Sequence, residues 1–342
     1  MTITEIAKLC GVSKSTVSRV LNNSEHVNPK TKEKVLRVIQ ENNYEPSLIA
    51  QSLSKNTNTT IGVVIPEIDN EFFGEVLAGI NEVVDAQNLT MICCDTNNNP
   101  NRERKAIRTL SQQRVCGIII TPSREDLPDL RIQLQNVDVP VVILDRHIQS
   151  YQFDSVHFDN FGGAYAATQV LIDEGYSRIA VITGDLSLQI GRERFDGYKV
   201  ALQDADIEVD EQFIYYGDFS IETAYRIASE IFQSSRLPDA ILTSNNRTTI
   251  GLIKAAREHN IRLGRDLALI GIDRVTLLDA LGYPFSCITR DSRAMGREAV
   301  HLLLKRIENA DQKNRQINIA PYHIQLKGSE KRTTDFFGAM SL

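Results

Sequence analysis

The chain has 342 residues, of which 42% are hydrophobic and 24% are charged, and its formal net charge at pH 7 is −6. This length exceeds that of one ordinary hydrophobic core, so two or three domains are expected. No apolar run reaches the roughly 18 residues of a membrane helix, and the first residues lack the charged-then-apolar pattern of a signal peptide, so we expect a cytoplasmic protein.

Charge is unevenly distributed along the chain. Residues 1–60 contain eight basic and five acidic side chains, a net charge of +3, which leaves −9 for the remainder. A basic N-terminal segment on an acidic body suits an approach to DNA by that segment. A charge of +3 is equally typical of a solvated charged surface, so the local pattern of residues has to decide.

The N-terminal segment has the pattern of three short helices. Apolar residues recur at helical spacing over residues 3–10, and Gly11 can end this helix in the left-handed conformation. Ser13 can cap a second helix, and a third helix spans about 29–42. Two short helices around a tight glycine turn predict a helix-turn-helix, whose second helix lies in the major groove of DNA.

The exposed face of the second helix supports this interpretation. It combines hydroxyl, amide and basic side chains, which can donate hydrogen bonds to phosphates and base edges: Lys14, Ser15, Thr16, Ser18, Arg19 and Asn22. Any small three-helix bundle also needs caps, a glycine turn and an apolar stripe. The composition of this face favours DNA binding over that alternative.

Residues 47–60 predict a conditional helix and a linker. Ser47 can cap a helix of two turns over residues 48–54, and a polar Lys/Asn/Thr stretch follows. A helix this short is marginal alone in water, so we expect it to order only against DNA and a second copy of the chain. Leu53, beside the small Ala50, could then insert into the minor groove as an apolar wedge, or it could pack against the body.

From residue 61 the pattern changes to apolar strands that alternate with amphipathic helices. The predicted strands are 61–66, 90–94, 117–121, 141–145, 178–185, 239–245 and 267–273, and helices are expected at about 71–87, 101–114 and 125–136. Continuous apolar strands between helices indicate parallel sheets that are covered on both faces. Two successive runs predict an α/β fold with two similar, doubly wound lobes behind the helical N-terminal segment.

Polar residues follow these strands, among them Asp145, Asp185, Asn245 and Asp273. Ligands of parallel sheets bind beyond the carboxyl ends of the strands, so these residues predict a cleft between the lobes. The sequence has no GxGxxG, no phosphate loop, no GxSxG and no nucleophile paired with a base. The aspartates could serve acid–base chemistry, but they equally suit a ligand's hydroxyls, so we expect a binding site and no enzyme activity. The five cysteines and six histidines show no metal-ligand spacing, so neither a metal nor a cofactor is expected.

Several blocks of sequence carry a resemblance to a known family. The first is "ITEIAKLCGVSKSTVSRVLNNSEHVNPKTKEKVLRVIQENNYEPSLIAQSL", and later blocks include "IGVVIPEIDNEFFGEVLAGI", "FDNFGGAYAATQVLIDEGYSRIAVITG" and "LALIGID". In these blocks, over about residues 2–329, the chain resembles the lactose-repressor/galactose-repressor (LacI/GalR) family. The resemblance implies a homodimeric transcription repressor of double-stranded operator DNA, in which a small-molecule effector closes the cleft and alters operator affinity.

The resemblance also implies roles for residues of the N-terminal segment. Lys14 and Ser15 fall where the recognition helix reads bases, and Arg19 falls near the groove. Positions that contact the DNA backbone correspond to Thr4, Ser13, Thr16, Ser18, Asn22, Thr31 and Tyr44. Leu53, with Ala50, falls at the hinge position that inserts into the central step of a pseudopalindromic operator.

The implied division of the chain is a DNA-binding head (1–46), a hinge helix and linker (47–60), an effector-binding and dimerisation domain (61–330) and a tail (331–342). Three crossovers would connect lobe 1, at about 61–158 and 291–320, with lobe 2, at about 159–290 and 321–330. A helix at 292–308 would pack on the first sheet, and a final strand at 322–327 would join the second. The tail lacks the leucine heptads of a tetramerising coil, so we expect a dimer.

The effector site that the resemblance implies consists of Asn70, Phe72, Phe73, Thr121, Asp145, Arg194, Phe219, Asn245 and Asp273. The aromatic rings can lie against the apolar face of a sugar, while carboxylates and amides bond its hydroxyls. Arg194 can make a paired contact through its guanidinium fork.

The chain departs from the family pattern at this cleft. Asn246 and Arg274 stand where the family often has carboxylates, and Arg290 stands where it often has glutamine. Fewer carboxylates and more arginines favour an anionic effector, a sugar acid or sugar phosphate that acts as inducer, with Arg194 and Arg290 as its contacts. Alternatively, Arg274 and Arg290 pair with Asp145, Asp273 or Asp291 and stiffen the lobes, and the effector is a neutral sugar or a corepressor.

Two other classes of protein compete with this interpretation. A sugar-modifying enzyme with a DNA-binding appendage would need a phosphate loop or a catalytic pair, and the sequence shows neither. A binding protein for transport would need a signal peptide and would have no use for a basic head. Both alternatives are therefore disfavoured.

Overall fold

The computed structural model describes residues 1–21, 26–42, 44, 58–125, 128–148, 153–309 and 314–332. The predicted hinge helix with Ala50 and Leu53, the recognition-helix residue Asn22 and most of the predicted tail lie outside these residues. The chain divides into two compact units, residues 1–59 and residues 60–342.

The first unit contains the helices α1 (Ile3–Cys10), α2 (Lys14–Leu21) and α3 (Pro29–Glu41). The turn after α1 is centred on Gly11, whose φ of 60° is accessible to glycine without steric cost. Ser13 caps α2, because its hydroxyl accepts a hydrogen bond from the Thr16 amide at 3.1 Å. Apolar side chains from all three helices form one small core. The predicted helix-turn-helix is present.

The second unit alternates strands and helices. Its strands are β1 (Thr60–Ile65), β2 (Thr90–Asp95), β3 (Gly117–Ile120), β4 (Val141–Leu144), β5 (Asp154–Phe158), β6 (Ile179–Ile182), β7 (Ile214–Tyr215), β8 (Ala240–Thr243), β9 (Ala268–Ile272), β10 (Ser286–Thr289), β11 (Ile317–Ala320) and β12 (His323–Gln325). Its helices are α4 (Glu71–Ala86), α5 (Pro100–Gln112), α6 (Pro128–Gln135), α7 (Asn160–Asp173), α8 (Gln189–Asp204), α9 (Ile221–Gln233), α10 (Asn246–Glu258), α11 (Thr276–Ala280) and α12 (Ser292–Glu308), with a 3₁₀ turn at Glu211–Phe213.

Within the described residues the strands form two sheets. The first has the order β11–β5–β4–β3–β1–β2 and the second β12–β10–β9–β8–β6–β7. The pairs are parallel except for β10 with β12, which is antiparallel. The central strands are buried and apolar on both faces, as parallel sheets require when helices cover both sides. The predicted α/β fold class is therefore confirmed.

The chain passes between the two lobes three times. It leaves the first sheet after β5, leaves the second sheet after β10, and passes from β11 in the first sheet to β12 in the second. The helix that follows β10, α12, packs on α4 and on strands of the first sheet. None of the described helices is long and apolar enough to span a membrane.

The contact between α4 and α12 depends on two glycines. A Cβ atom added to Gly79 would lie 2.1 Å from the carbonyl oxygen of Arg293, and one added to Gly296 would lie 2.2 Å from that of Val76. Only glycine allows the two backbones to approach this closely. Helix α12 follows a strand of the second lobe, and the two glycines allow it to pack closely on the first lobe.

Candidate functional site

Two aspartates occupy equivalent positions in the two lobes. Asp145 follows β4 and Asp273 follows β9, with φ values of 64° and 68° in the left-handed region. The amide of Asp145 donates to the carbonyl of Val156 on the next strand, and that of Asp273 donates to Ile288, both at 2.8 Å. Residues with a Cβ adopt this conformation rarely, and such positions cluster at binding sites. Both buried carboxylates lie just beyond the ends of central strands.

Arg290, between β10 and α12, joins these two aspartates. Its Nη1 donates to Asp145 at 2.6 Å, and its Nε and Nη2 donate to Asp273 at 2.9 and 3.3 Å. Its guanidinium carbon lies 3.7 Å from the ring centroid of Phe72 and 4.8 Å from that of Phe158. We call Asp145, Asp273 and Arg290 the Arg290 clasp.

Electrostatics keep Arg290 and Asp145 charged. Burial alone would lower the pKa of Arg290, but Asp273 and Asp145 raise it above its ordinary value. Burial alone would raise the pKa of Asp145, but Arg290, Arg194 and Arg146 hold it below its ordinary value. Buried charges of this kind are tolerated because each one has bonded partners of opposite sign.

Arg194, on α8, has a different environment. Its Nε donates to the side chain of Asn160 at 2.8 Å and its Nη1 to the carbonyl of Ser244 at 2.5 Å, while its buried Nη2 has no hydrogen-bond partner. Its guanidinium carbon lies 5.7 Å from the ring centroid of Phe219. Burial lowers the pKa of Arg194 to about 10, since the attraction of nearby carboxylates compensates only in part. The hydroxyl of Thr121, directly after β3, is also buried without a partner. Both groups can bond a ligand.

Three predicted site residues have structural roles. Asn70 caps α4 by accepting from the Phe72 amide at 3.1 Å, and Asn245 caps α10 by accepting from the Thr248 amide at 2.8 Å. Phe73 is buried in the core of the first lobe, edge-on to Phe72. The structure therefore places Phe72 against the clasp and Phe219 near Arg194. Asn70, Asn245 and Phe73 stabilise the helices and the core around them.

A cavity of about 330 Å³ opens beside the clasp. Phe72, Asp273 and Arg290 of the predicted set line it, together with Asn246 and Arg274. Arg274 pairs with Glu75 at 2.8 Å and lies 3.9 Å from Asp279, whereas Arg290 pairs with Asp145 and Asp273. Of the two arginines, Arg290 alone therefore has partners among the three aspartates of the alternative interpretation. Among the described residues, no group of three or more His, Cys, Asp or Glu side chains could hold a metal ion.

Sequence reasoning missed several residues that complete the cleft. Asn160, which orients Arg194, and Phe158, which lies against Arg290, both come from β5 or the residues after it. That strand was not predicted, because only two of the five residues in "DSVHF" are apolar. Contacts across the cleft were also missed: Asn246 donates to Asn70 at 3.2 Å, and Arg247 lies 3.2 Å from Asp69.

Helix α2 has the exposed and buried faces that the sequence predicts. Lys14, Ser15 and Arg19 are exposed on α2, and Val17 and Val20 form its buried face. The remaining described positions are Ser13, whose hydroxyl lies 2.7 Å from that of Ser15, and the half-buried Thr4, Thr16, Ser18, Thr31 and Tyr44. Exposed hydroxyl and basic groups on one helix are the groups that contact phosphates and base edges.

Comparison with known families gives two matches that together cover most of the chain. Residues 2–47 match the family described as bacterial regulatory proteins, lacI family. Residues 58–329 match the family described as periplasmic binding proteins and sugar binding domain of LacI family.

Individual proteins match over nearly the whole chain. The HTH-type transcriptional repressor PurR of Vibrio atlanticus is 36% identical over 322 residues, which cover 94% of this chain and 96% of PurR. A lac repressor dimer bound to operator and the anti-inducer ONPF has a TM-score of 0.83 at 26% identity, with 96% of this chain and 99% of that chain covered. A complex of the transcriptional regulator CelR with cellobiose has a TM-score of 0.73 at 27% identity, with the same coverage.

Proposed function

Since the chain belongs to the LacI family of bacterial regulatory proteins, we propose that this DNA-binding transcriptional repressor is controlled by a sugar acid or sugar phosphate that acts as its inducer. It works as a homodimer on a pseudopalindromic operator, and the exposed face of α2 reads each half-site in the major groove. Its place of action is the bacterial cytoplasm, where the operator DNA lies.

The unpartnered Nη2 of Arg194 carries the effector proposal. A buried guanidinium nitrogen without a hydrogen bond is costly, and an acceptor on a ligand removes that cost. Burial also disfavours the charged form of Arg194, and an anionic group bonded to Nη2 would favour it again. A carboxylate or phosphate is the acceptor that matches a guanidinium most closely.

The clasp favours Arg194 over Arg290 as the contact for an anion. Arg290 is already bonded to two carboxylates, and the clasp as a whole carries one excess negative charge. A further anion against Arg290 would be repelled by Asp145 and Asp273 unless it displaced them. Nη2 of Arg194 and the hydroxyl of Thr121 have no hydrogen-bond partner, and the ring of Phe219 lies beside Arg194. A sugar-like body is supported by the family's sugar-binding domain and by the cellobiose complex of CelR.

In this proposal the effector controls DNA binding through the two lobes. Each head reads one half-site, so the spacing between the heads of the dimer has to match the operator. An effector between the lobes changes the contacts that join them, such as those of Arg247 with Asp69 and of Asn246 with Asn70. A coupling of about 1–3 kcal/mol between the two sites would change operator affinity roughly 5- to 150-fold.

A thermal-shift screen of the full chain against neutral sugars, sugar acids and sugar phosphates tests the proposal. A ligand at 100 times its Kd stabilises the folded state by about 2.7 kcal/mol, so a true effector gives a clear shift. We expect shifts with acids or phosphates only, and their loss in Arg194→Ala but not in Arg226→Ala, which alters an exposed arginine. Shifts with neutral sugars only would overturn the anionic effector.

An operator-binding titration with the active ligand tests whether that ligand weakens or strengthens DNA binding. We expect the ligand to weaken operator binding by the full chain, as an inducer does. Tighter binding would identify a corepressor and overturn the proposed induction. In Arg194→Ala the operator affinity without ligand should equal that of the wild type, because Arg194 lies outside the DNA-binding head.

A further inference from the structure

We propose that Glu125 is a positioning residue for Arg194: it caps helix α8 from the opposite lobe and so links closure of the lobes to the geometry of the effector contact. Glu125 lies in lobe 1, in the loop between β3 and α6, whereas α8 belongs to lobe 2. The inference goes beyond the proposed function, and it rests on that proposal only for the role of Arg194.

Helix α8 lacks a cap of its own. The residue at its N-cap position is Leu188, whose side chain makes no capping hydrogen bond. The first backbone amides of a helix have no partner within the helix, and the helix dipole favours a negative charge at that end. A carboxylate supplied from elsewhere therefore stabilises α8.

Glu125 supplies that carboxylate. One of its oxygens accepts a hydrogen bond from the backbone amide of Gln189, the first residue of α8. The other accepts from Nη2 of Arg192 at 2.9 Å, while Nη1 of Arg192 donates to the carbonyl of Ser187 at 2.7 Å. The buried carboxylate thus joins the loop of lobe 1, the first turn of α8 and the segment before it.

A chain of hydrogen bonds continues from this cap to Arg194. The side chain of Gln189 donates to Glu193 at 2.5 Å, and the side chain of Asn160 donates to the other oxygen of Glu193 at 3.3 Å. The oxygen of Asn160 in turn accepts from Nε of Arg194 at 2.8 Å. When the lobes separate, Glu125 leaves α8, and the first turn that carries this chain loses its cap. Arg194 is then held less firmly in its position.

Hydrogen exchange of the full chain without any ligand tests the cap. Glu125→Ala should speed the exchange of the Gln189 amide by about 5- to 30-fold, the factor that corresponds to loss of a helix cap. Glu125→Gln, whose amide oxygen can still accept from Gln189 but no longer pairs with Arg192 as an anion, should lie between Ala and the wild type. Glu82→Ala, which removes another carboxylate that bonds two arginines, should leave the Gln189 amide unchanged.

A second measurement tests the positioning role: the hydrogen-exchange rate of the Nε–H of Arg194, followed by NMR of arginine side chains. In Glu125→Ala this proton should exchange faster, and Glu125→Asp should restore part of the protection, whereas amides of α9 should keep their wild-type rates. Gln189 and Arg194 rates within twofold of the wild type in Glu125→Ala would overturn the inference. Uniformly faster exchange throughout lobe 2 would also overturn it, because it would indicate a general structural role. Neither measurement involves an effector, so a wrong effector class would leave these results unaffected.

Discussion

Asp145 and Asp273 lie in different lobes and bind the same guanidinium, that of Arg290, at 2.6 and 2.9 Å. Their backbones share the same left-handed conformation and the same hydrogen bond to the next strand. The two lobes thus present equivalent carboxylates to one cation from a crossover segment. Because this cation is a side chain of the protein itself, Arg290 links the two lobes when no effector is bound.

Removal of Arg290 should strongly destabilise the second unit. In Arg290→Met two buried carboxylates lose their counter-charge, and breaking a buried ion pair in this way costs about 3–5 kcal/mol. Chemical denaturation should show this loss, while Arg293→Met, at an exposed arginine, should change the free energy of unfolding by less than about 0.5 kcal/mol. Combining Arg290→Gln with Asp145→Asn and Asp273→Asn should recover most of the stability. A triple variant no more stable than Arg290→Met would contradict the charge-based explanation.

Leu53 should determine operator preference more than affinity for DNA in general. The residue lies outside the described part of the chain, so the prediction rests on its position in the sequence and on the wedge mechanism. In Leu53→Ala the ratio of operator affinity to random-DNA affinity should fall by roughly tenfold or more, with the salt-dependent non-specific binding retained. Leu53→Ile should keep most of the ratio. Equal losses on operator and random DNA in fluorescence anisotropy titrations would exclude the wedge.

Two glycine substitutions in the same helix should have opposite effects. Gly79→Ala would place a methyl group against the backbone of Arg293 and separate α4 from α12, at a cost of about 1–3 kcal/mol. Gly74→Ala meets open space and should stabilise α4 by up to about 1 kcal/mol, because alanine favours the helix. Thermal unfolding of both variants at one protein concentration measures the contrast. A neutral Gly79→Ala would show that the helices can move apart without loss.

His157 should make the folded chain less stable in acid. Its ring is buried and stacks on His147 at 3.7 Å, and burial together with His147 lowers its pKa to about 4. Below about pH 6.5 the unfolded chain binds a proton at this residue that the folded chain does not bind until about pH 4, so unfolding is favoured as the pH falls through this range. Between pH 7 and pH 5 the loss from His157 is about 2 kcal/mol.

His157→Phe keeps a ring in place but removes the titrating group. Between pH 7 and pH 5 the free energy of unfolding of this variant should therefore fall by about 2 kcal/mol less than that of the wild type. His301→Gln, at an exposed histidine, should behave as the wild type. Identical pH dependences of the wild type and His157→Phe in urea denaturation would contradict the prediction.

Local patterns in the sequence were enough for most of the fold. Apolar runs such as "GIII" and "VVIL" predict buried strands because they have no polar face, and Gly11 with Ser13 predicts the turn and cap of the helix-turn-helix. The strand β5 was missed because its polar residues have partners that the sequence does not reveal. Asp154, for example, binds the buried Arg306 at 2.7 Å from 152 positions away.

Contacts between residues far apart in sequence also limit how much of the site can be predicted. Residues after the strands predicted the cleft, and Asp145 and Asp273 do lie close enough to Arg194 to oppose the fall in its pKa that burial causes. Whether Arg290 meets a ligand or an aspartate depends on how the ends of two sheets approach each other, which no local pattern contains. Glu125 could not be recognised either, because the helix that it caps begins 64 positions later.

Among the described strands β11 and β12 come last in sequence, and each forms an edge of a different sheet. During synthesis the N-terminal helices emerge first and can fold early, but neither lobe can be completed until these two strands have left the ribosome. A chain that stops before Ile317 leaves β5 and β10 as unpaired edges at the same time. Such edges are templates for aggregation. Premature termination therefore damages both lobes together and does not produce a head joined to one finished lobe.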